Sequence, residues 1–426
     1  MRKRFFTLLL LSLGVANQGF TEKVWNDQVY KPAIRSVQFS SLDQKENYPV
    51  IQLGTNQTLW LEFDDLDGEF KDYQFTIVHC GFDWTESNLM ENEYIDGVFT
   101  EYILDNGTSF NTYISYTHYR VEVPNENLKP KIAGNYVLKV FEDGDQENLV
   151  LTRRFFVFQR ATTIRPSVQR PTYSKYYDKG QEVDVMVNTQ GLQVMNQVTD
   201  FKLMIMQNGR FDNAKTGLKP RFFGDKELDF NYEDVNVFDG FNEWRYFDTR
   251  NVRFGGQKIF KVQQDSYSIY NAYLYPDKDR SVQGYTNYAD FNGYTLIEAG
   301  GVQDEDIEGD YVWVHFKLLS TGRSEGDVYV FGSCTDWKVD ERFKLTYNKK
   351  NLWYEGKVLL KQGYYNYCYA SLINGEITFD EYEGSFYQTE NDYMIFFYQY
   401  SIDLNCDLLM GYQRVNTVKG IERTDR

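Results

Sequence analysis

The strongest constraint on this chain is the rhythm of its apolar residues, which alternate with polar ones at every second position in segment after segment. Leu59-Trp60-Leu61-Glu62-Phe63, Tyr136-Val137-Leu138-Lys139-Val140 and Val183-Asp184-Val185-Met186-Val187 all carry it. A period of two puts one set of side chains on one face of a strand, whereas the spacing that would give an amphipathic helix is almost absent. Between these runs fall Asp67-Gly68, Asn106-Gly107, Asp143-Gly144, Asn208-Gly209, Asn292-Gly293 and Asn374-Gly375, pairs that tolerate the positive φ of tight hairpins. Many short strands with regular turns predict an all-β protein of tandem immunoglobulin-like, early-set β-sandwich domains.

At 426 residues the chain has room for about three such domains. After the strand-like Arg154-Phe155-Phe156-Val157-Phe158 the sequence turns polar and extended, and Arg165-Pro166 blocks helix there, which sets a boundary near 160. A second boundary follows Gly300-Gly301, where Asp304-Glu305-Asp306-Ile307-Glu308-Gly309-Asp310 reads as a solvated linker before the strand from Tyr311. The expected domains are a β-sandwich at 22–160, a β-rich middle domain at 161–303 and an early-set β-sandwich at 304–413, with a frayed polar tail at 414–426.

Residues 1–16 read as an export signal. Basic Arg2-Lys3-Arg4 precedes an apolar stretch from Phe5 to Val15 and the small residues Gly14-Val15-Ala16, a secretory leader cleaved near Ala16. The first cysteine is Cys80, so no cysteine near the leader offers a lipid anchor, and the expected location is the periplasm. Loss of the leader takes the net charge from −17 to −20. So acidic a chain lacks the clustered cations that hold a phosphate backbone, which excludes nucleic acid as a partner. No later segment approaches the ~20 apolar residues of a spanning helix, so no direct membrane insertion is expected.

Catalytic patterns are missing. His79, His118 and His315 stand singly in strand-like contexts, and there is no G-x-S-x-G elbow, H-E-x-x-H or phosphate loop. The chain is therefore expected to be no enzyme and to need no cofactor or metal. Asp304, Asp306 and Glu308 alternate as in a calcium loop, but His315 stands where the bidentate Glu belongs. Cys80, Cys334, Cys368 and Cys406 admit three pairings; Cys80 suits a buried apolar site, and Cys334 with Cys368 is one admissible bridge.

Aromatic residues beside turns are the positive signal. Trp84, Trp244, Trp337 and Trp353 adjoin polar turn residues, where an indole either stacks on a ligand or plugs the end of its own sandwich. The densest such stretch mixes Trp244, Tyr246 and Phe247 with Arg245, Asp248 and Arg250. It is a candidate partner interface, with a buried Arg/Asp network as the alternative.

Two resemblances follow. Val328 to Trp337, Trp353 to Val358 and Gly363-Tyr364-Tyr365-Asn366-Tyr367 are similar to early-set glycogen-binding modules. Trp337 matches that family's first sugar-stacking position, but Cys368 and Ile377 stand at its Lys and second Trp, so the fold is implied and the sugar site is not. The wider resemblance rests on Ile51-Gln52-Leu53-Gly54, His79-Cys80-Gly81-Phe82-Asp83-Trp84, His118-Tyr119, Pro130 with Gly134-Asn135-Tyr136, Gln207-Asn208-Gly209-Arg210, Asn242 to Asp248 and Asp290-Phe291-Asn292-Gly293-Tyr294. In order and spacing these resemble the plug proteins of the type IX secretion system of Bacteroidota. That resemblance implies a periplasmic protein that binds the outer-membrane translocon barrel and closes its periplasmic opening when idle. The alternative is an exported glycan-binding sandwich protein of a polysaccharide-uptake system.

Overall fold

A computed structural model describes residues 23–41, 48–196 and 198–421. The leader at 1–16 lies outside the described residues. The regular secondary structure is almost wholly strand, as the alternation demands, and the strands assemble into three bodies.

The first sandwich packs two antiparallel layers. One runs in the order Gln28–Val29, Leu149–Phe158, Gly134–Glu142, Tyr73–Cys80, Glu101–Tyr102, with Val50–Gln52 joining Leu149–Phe158 in parallel; the other runs Ile34–Ser40, Leu59–Asp65, Thr117–Val123, Asp105–Thr108. Leu59, Leu61 and Phe63 meet Phe75, Ile77, Tyr136 and Leu138 in the core between them. The alternate residues Trp60, Glu62 and Asp64 consequently lie on the outer face, as period two requires.

The second sandwich corrects the expected boundary at 303. One layer is Thr163–Gln169, Gly180–Asn188, Glu227–Asp229 and Phe222–Phe223, but the other pairs Phe201–Gln207 with Asp392–Ser401, which in turn pairs with Cys406–Asn416. Phe201, Leu203 and Ile205 therefore share a core with Tyr393, Ile395 and Phe397. Strands nearly two hundred residues apart complete one sheet, and the segment from about 240 to 388 is an insertion within it. The tail expected from 414 is a short hairpin as far as Ile421, because Cys406–Asn416 continues past 414, turns at 417–419 and pairs with Gly420–Ile421.

The insertion is the third body. Its 10-stranded sheet draws Arg245–Asp248, Ile259–Gln264, Tyr270–Leu274 and Thr295–Ile297 from the region assigned to the middle domain, and joins them to the strands between Tyr311 and Thr378. Its entry and exit lie side by side: Gly240 N donates to Lys179 O at 2.7 Å, and Asn391 Nδ2 donates to Gly240 O at 2.8 Å.

Each body touches the other two. The first and second meet through a second apolar cluster in which Phe156 stacks on Phe396 with ring centroids 4.1 Å apart, flanked by Trp84, Met204 and Met394. This seam explains why Leu149–Phe158 is buried along its whole length: Phe155 and Val157 face the sandwich core, Phe156 and Phe158 the neighbour. The insertion meets the first sandwich through polar groups. Asp304 to Glu308, expected as a solvated linker, forms one helical turn, Glu305–Glu308, docked there. Phe110 N donates to Ile307 O at 2.8 Å and Tyr116 Oη to Gly309 O at 2.9 Å, so the carbonyls of the turn are what the docking uses. All four cysteines are free thiols; Cys80 is buried in the seam between the two sandwiches, and Cys334 and Cys368 do not pair.

Candidate functional site

The expected partner segment splits into an inside and an outside. It forms the edge strand Arg245–Asp248, paired with Gly363–Ile373, so successive side chains point to opposite faces. Trp244, Arg245 and Phe247 are buried, whereas Tyr246, Asp248 and Arg250 are half-buried at the surface. Arg245 Nε donates to Glu383 Oε1 at 2.9 Å, its Nη1 lies 3.1 Å from Asp277 Oδ1, and Arg280 also binds Glu383. Burial alone would push the Glu383 carboxyl up, but the two guanidiniums outweigh it and hold it below the usual range. Arg250 bridges Asp248 and Glu298, each at 2.8 Å. The stretch thus contains the buried Arg/carboxylate network and also presents three residues outward.

The tryptophans expected as displayed aromatics point mostly inward. Trp84 and Trp244 are buried, and Trp353 is half-buried with its Nε1 donating to Glu355 Oε2 at 2.7 Å. Asp336 and Trp337 both hold left-handed backbone, φ 51° and 57°. This unusual pair sends the Asp336 carboxylate to Arg153 of the first sandwich at 3.0 Å and turns the Trp337 indole against Trp244 and Tyr294. Gly293 fits between the two indoles; a Cβ there would come within 2.6 Å of Trp337 and 2.8 Å of Trp244. The Arg210 guanidinium lies 5.7 Å from the Trp337 ring. Cys368 and Ile377 pack in the same cluster as Trp337, so the position matched to a sugar platform packs within the insertion, with Arg210 of the second sandwich nearby.

Where the bodies meet they leave a half-open cavity of about 520 Å³. Arg35, Arg153 and Arg154 line it from the first sandwich, Phe211 from the second, and Tyr294, Trp313, Trp337 and Arg342 from the insertion. Desolvation pushes half-buried Asp27 up, but Arg154 and Arg153, with the Arg154 amide, hold it below the usual carboxylate range. Neither His79 nor His315 suits general base catalysis near neutral pH: burial pushes each down to about 4. His79 Nδ1 lies 2.9 Å from Ser87 Oγ, and His315 stacks on Tyr273 and meets Asn271 at 2.8 Å.

The most exposed apolar side chains lie outside the Asn242 to Arg250 stretch. Leu104 and Phe110 protrude from loops of the first sandwich, and Phe254, Phe260 and Tyr267 from the insertion near its Ile259–Gln264 hairpin. For Phe110, Phe254 and Tyr267 the available signal was a single aromatic among Ser, Asn, Asp, Arg and Gly; Leu104 and Phe260 adjoin other apolar residues and carried none.

Among the described residues, no helix is long and apolar enough to cross a membrane. Residues 34–159 match the family model described as type 9 secretion system plug protein 1st domain, which places the first sandwich in the plug family and ties the chain to type IX secretion. A crystal structure of a hypothetical protein from Parabacteroides merdae is similar over 93% of this chain and 100% of its own, at 29% identity and a TM-score of 0.88. No curated protein matches the chain.

Proposed function

We propose that this protein is a non-enzymatic periplasmic plug that binds the periplasmic opening of the type IX outer-membrane translocon barrel and closes it while no substrate is in transit. The observation that carries this is the plug first-domain match over residues 34–159. The physical form supports it: three bodies, each braced against the other two, make a stopper that holds its shape without itself entering a membrane. Exposed Leu104, Phe110, Phe254 and Phe260 are available as apolar anchors, and half-buried Tyr246, Asp248 and Arg250 as polar contacts, the residue types that a reversible protein interface uses.

Deletion should make the outer membrane leaky to large hydrophilic molecules while the barrel remains assembled. Tagged protein should capture the barrel from envelope extracts. Asp248→Lys combined with Arg250→Glu should weaken capture more than Lys349→Glu with Lys350→Glu on an exposed hairpin. Unchanged permeability together with no recovered barrel would sink the proposal. A saturable enthalpy with glycogen that vanishes in Trp337→Ala would favour the glycan-binding alternative.

A further inference from the structure

We propose that Glu62, His118 and Asp306 bind one zinc-class divalent cation across the seam between the first sandwich and the insertion. Strand register creates the first half of the site. In the antiparallel pair of Leu59–Asp65 with Thr117–Val123, Asp64 lies opposite His118 and Glu62 opposite Arg120. Leu61, Phe63, Tyr119 and Val121 fill the core, so period two turns Glu62, Asp64, His118 and Arg120 together onto the outer face. The insertion supplies the second half: its helical turn Glu305–Glu308 docks on this face and brings Asp306 to it. One ligand atom from each of Glu62, His118 and Asp306 lies within 4.8 Å of the others.

His118 is what distinguishes the cluster from a chance meeting of surface acids. Its residue is 8% exposed, and its Nδ1 lies 2.8 Å from Asp64 Oδ1. Its Nε2 is buried with no hydrogen-bond partner. A neutral imidazole that donates Nδ1–H to a carboxylate leaves Nε2 as the lone-pair nitrogen, the arrangement that orients and strengthens a histidine ligand. A buried nitrogen left unpaired is otherwise costly.

Two further groups set the field. Lys361 Nζ lies 2.9 Å from Asp64 Oδ2, and Arg120 Nε lies 3.1 Å from Glu62 Oε1. The carboxylates of Glu62, Asp64 and Asp306 therefore outnumber the adjacent cations. One imidazole nitrogen and two carboxylate oxygens suit zinc with a water completing the shell, whereas calcium needs six or more oxygens. The ion would join two bodies at a contact that no covalent bond crosses.

The test uses the full mature chain, stripped with chelator, dialysed and titrated with ZnCl₂ by calorimetry, with Co²⁺ absorption as a second probe. Saturable binding of one equivalent, unaffected by millimolar CaCl₂, is expected. Glu62→Gln and Asp306→Asn should each weaken it at least about tenfold, on the scale of losing a ligand or its support. Circular dichroism and metal-free melting should be unchanged in Asp306→Asn, whose backbone contacts remain. Absence of a one-equivalent heat, or parental affinity in both folded variants, would overturn the assignment, and neither result bears on barrel capture.

Discussion

Lys361 of the insertion and Asp64 of the first sandwich form an ion pair at 2.9 Å with both side chains buried. Tyr311 Oη donates to the same carboxylate at 2.7 Å, and His118 meets its other oxygen. Within one chain these groups act as an interface would, holding together two bodies that no linker joins directly.

Lys361→Met should therefore destabilise the protein by about 3–5 kcal/mol, the cost of leaving a buried carboxylate without its cation. Urea unfolding followed by intrinsic fluorescence checks this. Asp64→Asn added to Lys361→Met should recover part of the loss, because the unpaired charge is then gone.

The surface and interior halves of the Arg245–Asp248 strand should separate by mutation. Arg245→Ala removes the main partner of fully buried Glu383 and should cost about 3–5 kcal/mol. Tyr246→Ala, which loses a half-exposed stack on Tyr364 at 5.5 Å, should cost about 1 kcal/mol. Thermal melts of both variants would decide it; equal losses would contradict the placement.

Acidification should weaken the fold through His79. Burial lowers this histidine from 6.5 to about 4. Between those values the unfolded chain binds a proton that the native chain does not, so stability is intact above pH 6.5 and falls as the pH drops, by about 3 kcal/mol in all. Asp290, raised from 3.8 to about 7 by burial, runs the other way: its native carboxyl keeps a proton that the unfolded one loses, and stability falls as the pH rises through that range. Denaturation curves from pH 4 to 8 should show a flatter acid limb in His79→Gln and a relative gain above pH 7 in Asp290→Asn.

Fragments test the insertion. A fragment of residues 240–388 contains every strand of the 10-stranded sheet and should unfold cooperatively. A fragment of residues 310–412 lacks Arg245–Asp248 and Tyr270–Leu274, and carries Asp392–Ser401 without its partner Phe201–Gln207. It should remain aggregated or unfolded by circular dichroism and size-exclusion chromatography.

Local features were legible in the sequence to the extent that they depend on neighbouring residues. Alternation gave the strands, and Gly-containing pairs such as Asn292-Gly293 gave turns. The partnership of Phe201–Gln207 with Asp392–Ser401 was not legible, because two apolar alternating strands carry no mark of which distant strand they join. The same limit governed the site. Trp244 and Trp337 sit beside turns, as a displayed aromatic would, and only packing around Gly293 shows that they face each other. His118 gave no metal signal because its ligand neighbours come one from the adjoining strand and one from almost two hundred residues downstream.

The insertion also fixes an order of events in time. As the chain is made, the first sandwich has all its strands once Phe158 has appeared, and it can close at once. The second cannot: Phe201–Gln207 must wait, its apolar face uncovered, until Asp392–Ser401 arrives with the whole insertion in between. Apolar sheet edges left open during synthesis invite wrong partners. The last strands made are therefore the keystone of the middle of the molecule, and a chain stopped short of residue 392 would lose its centre rather than its end.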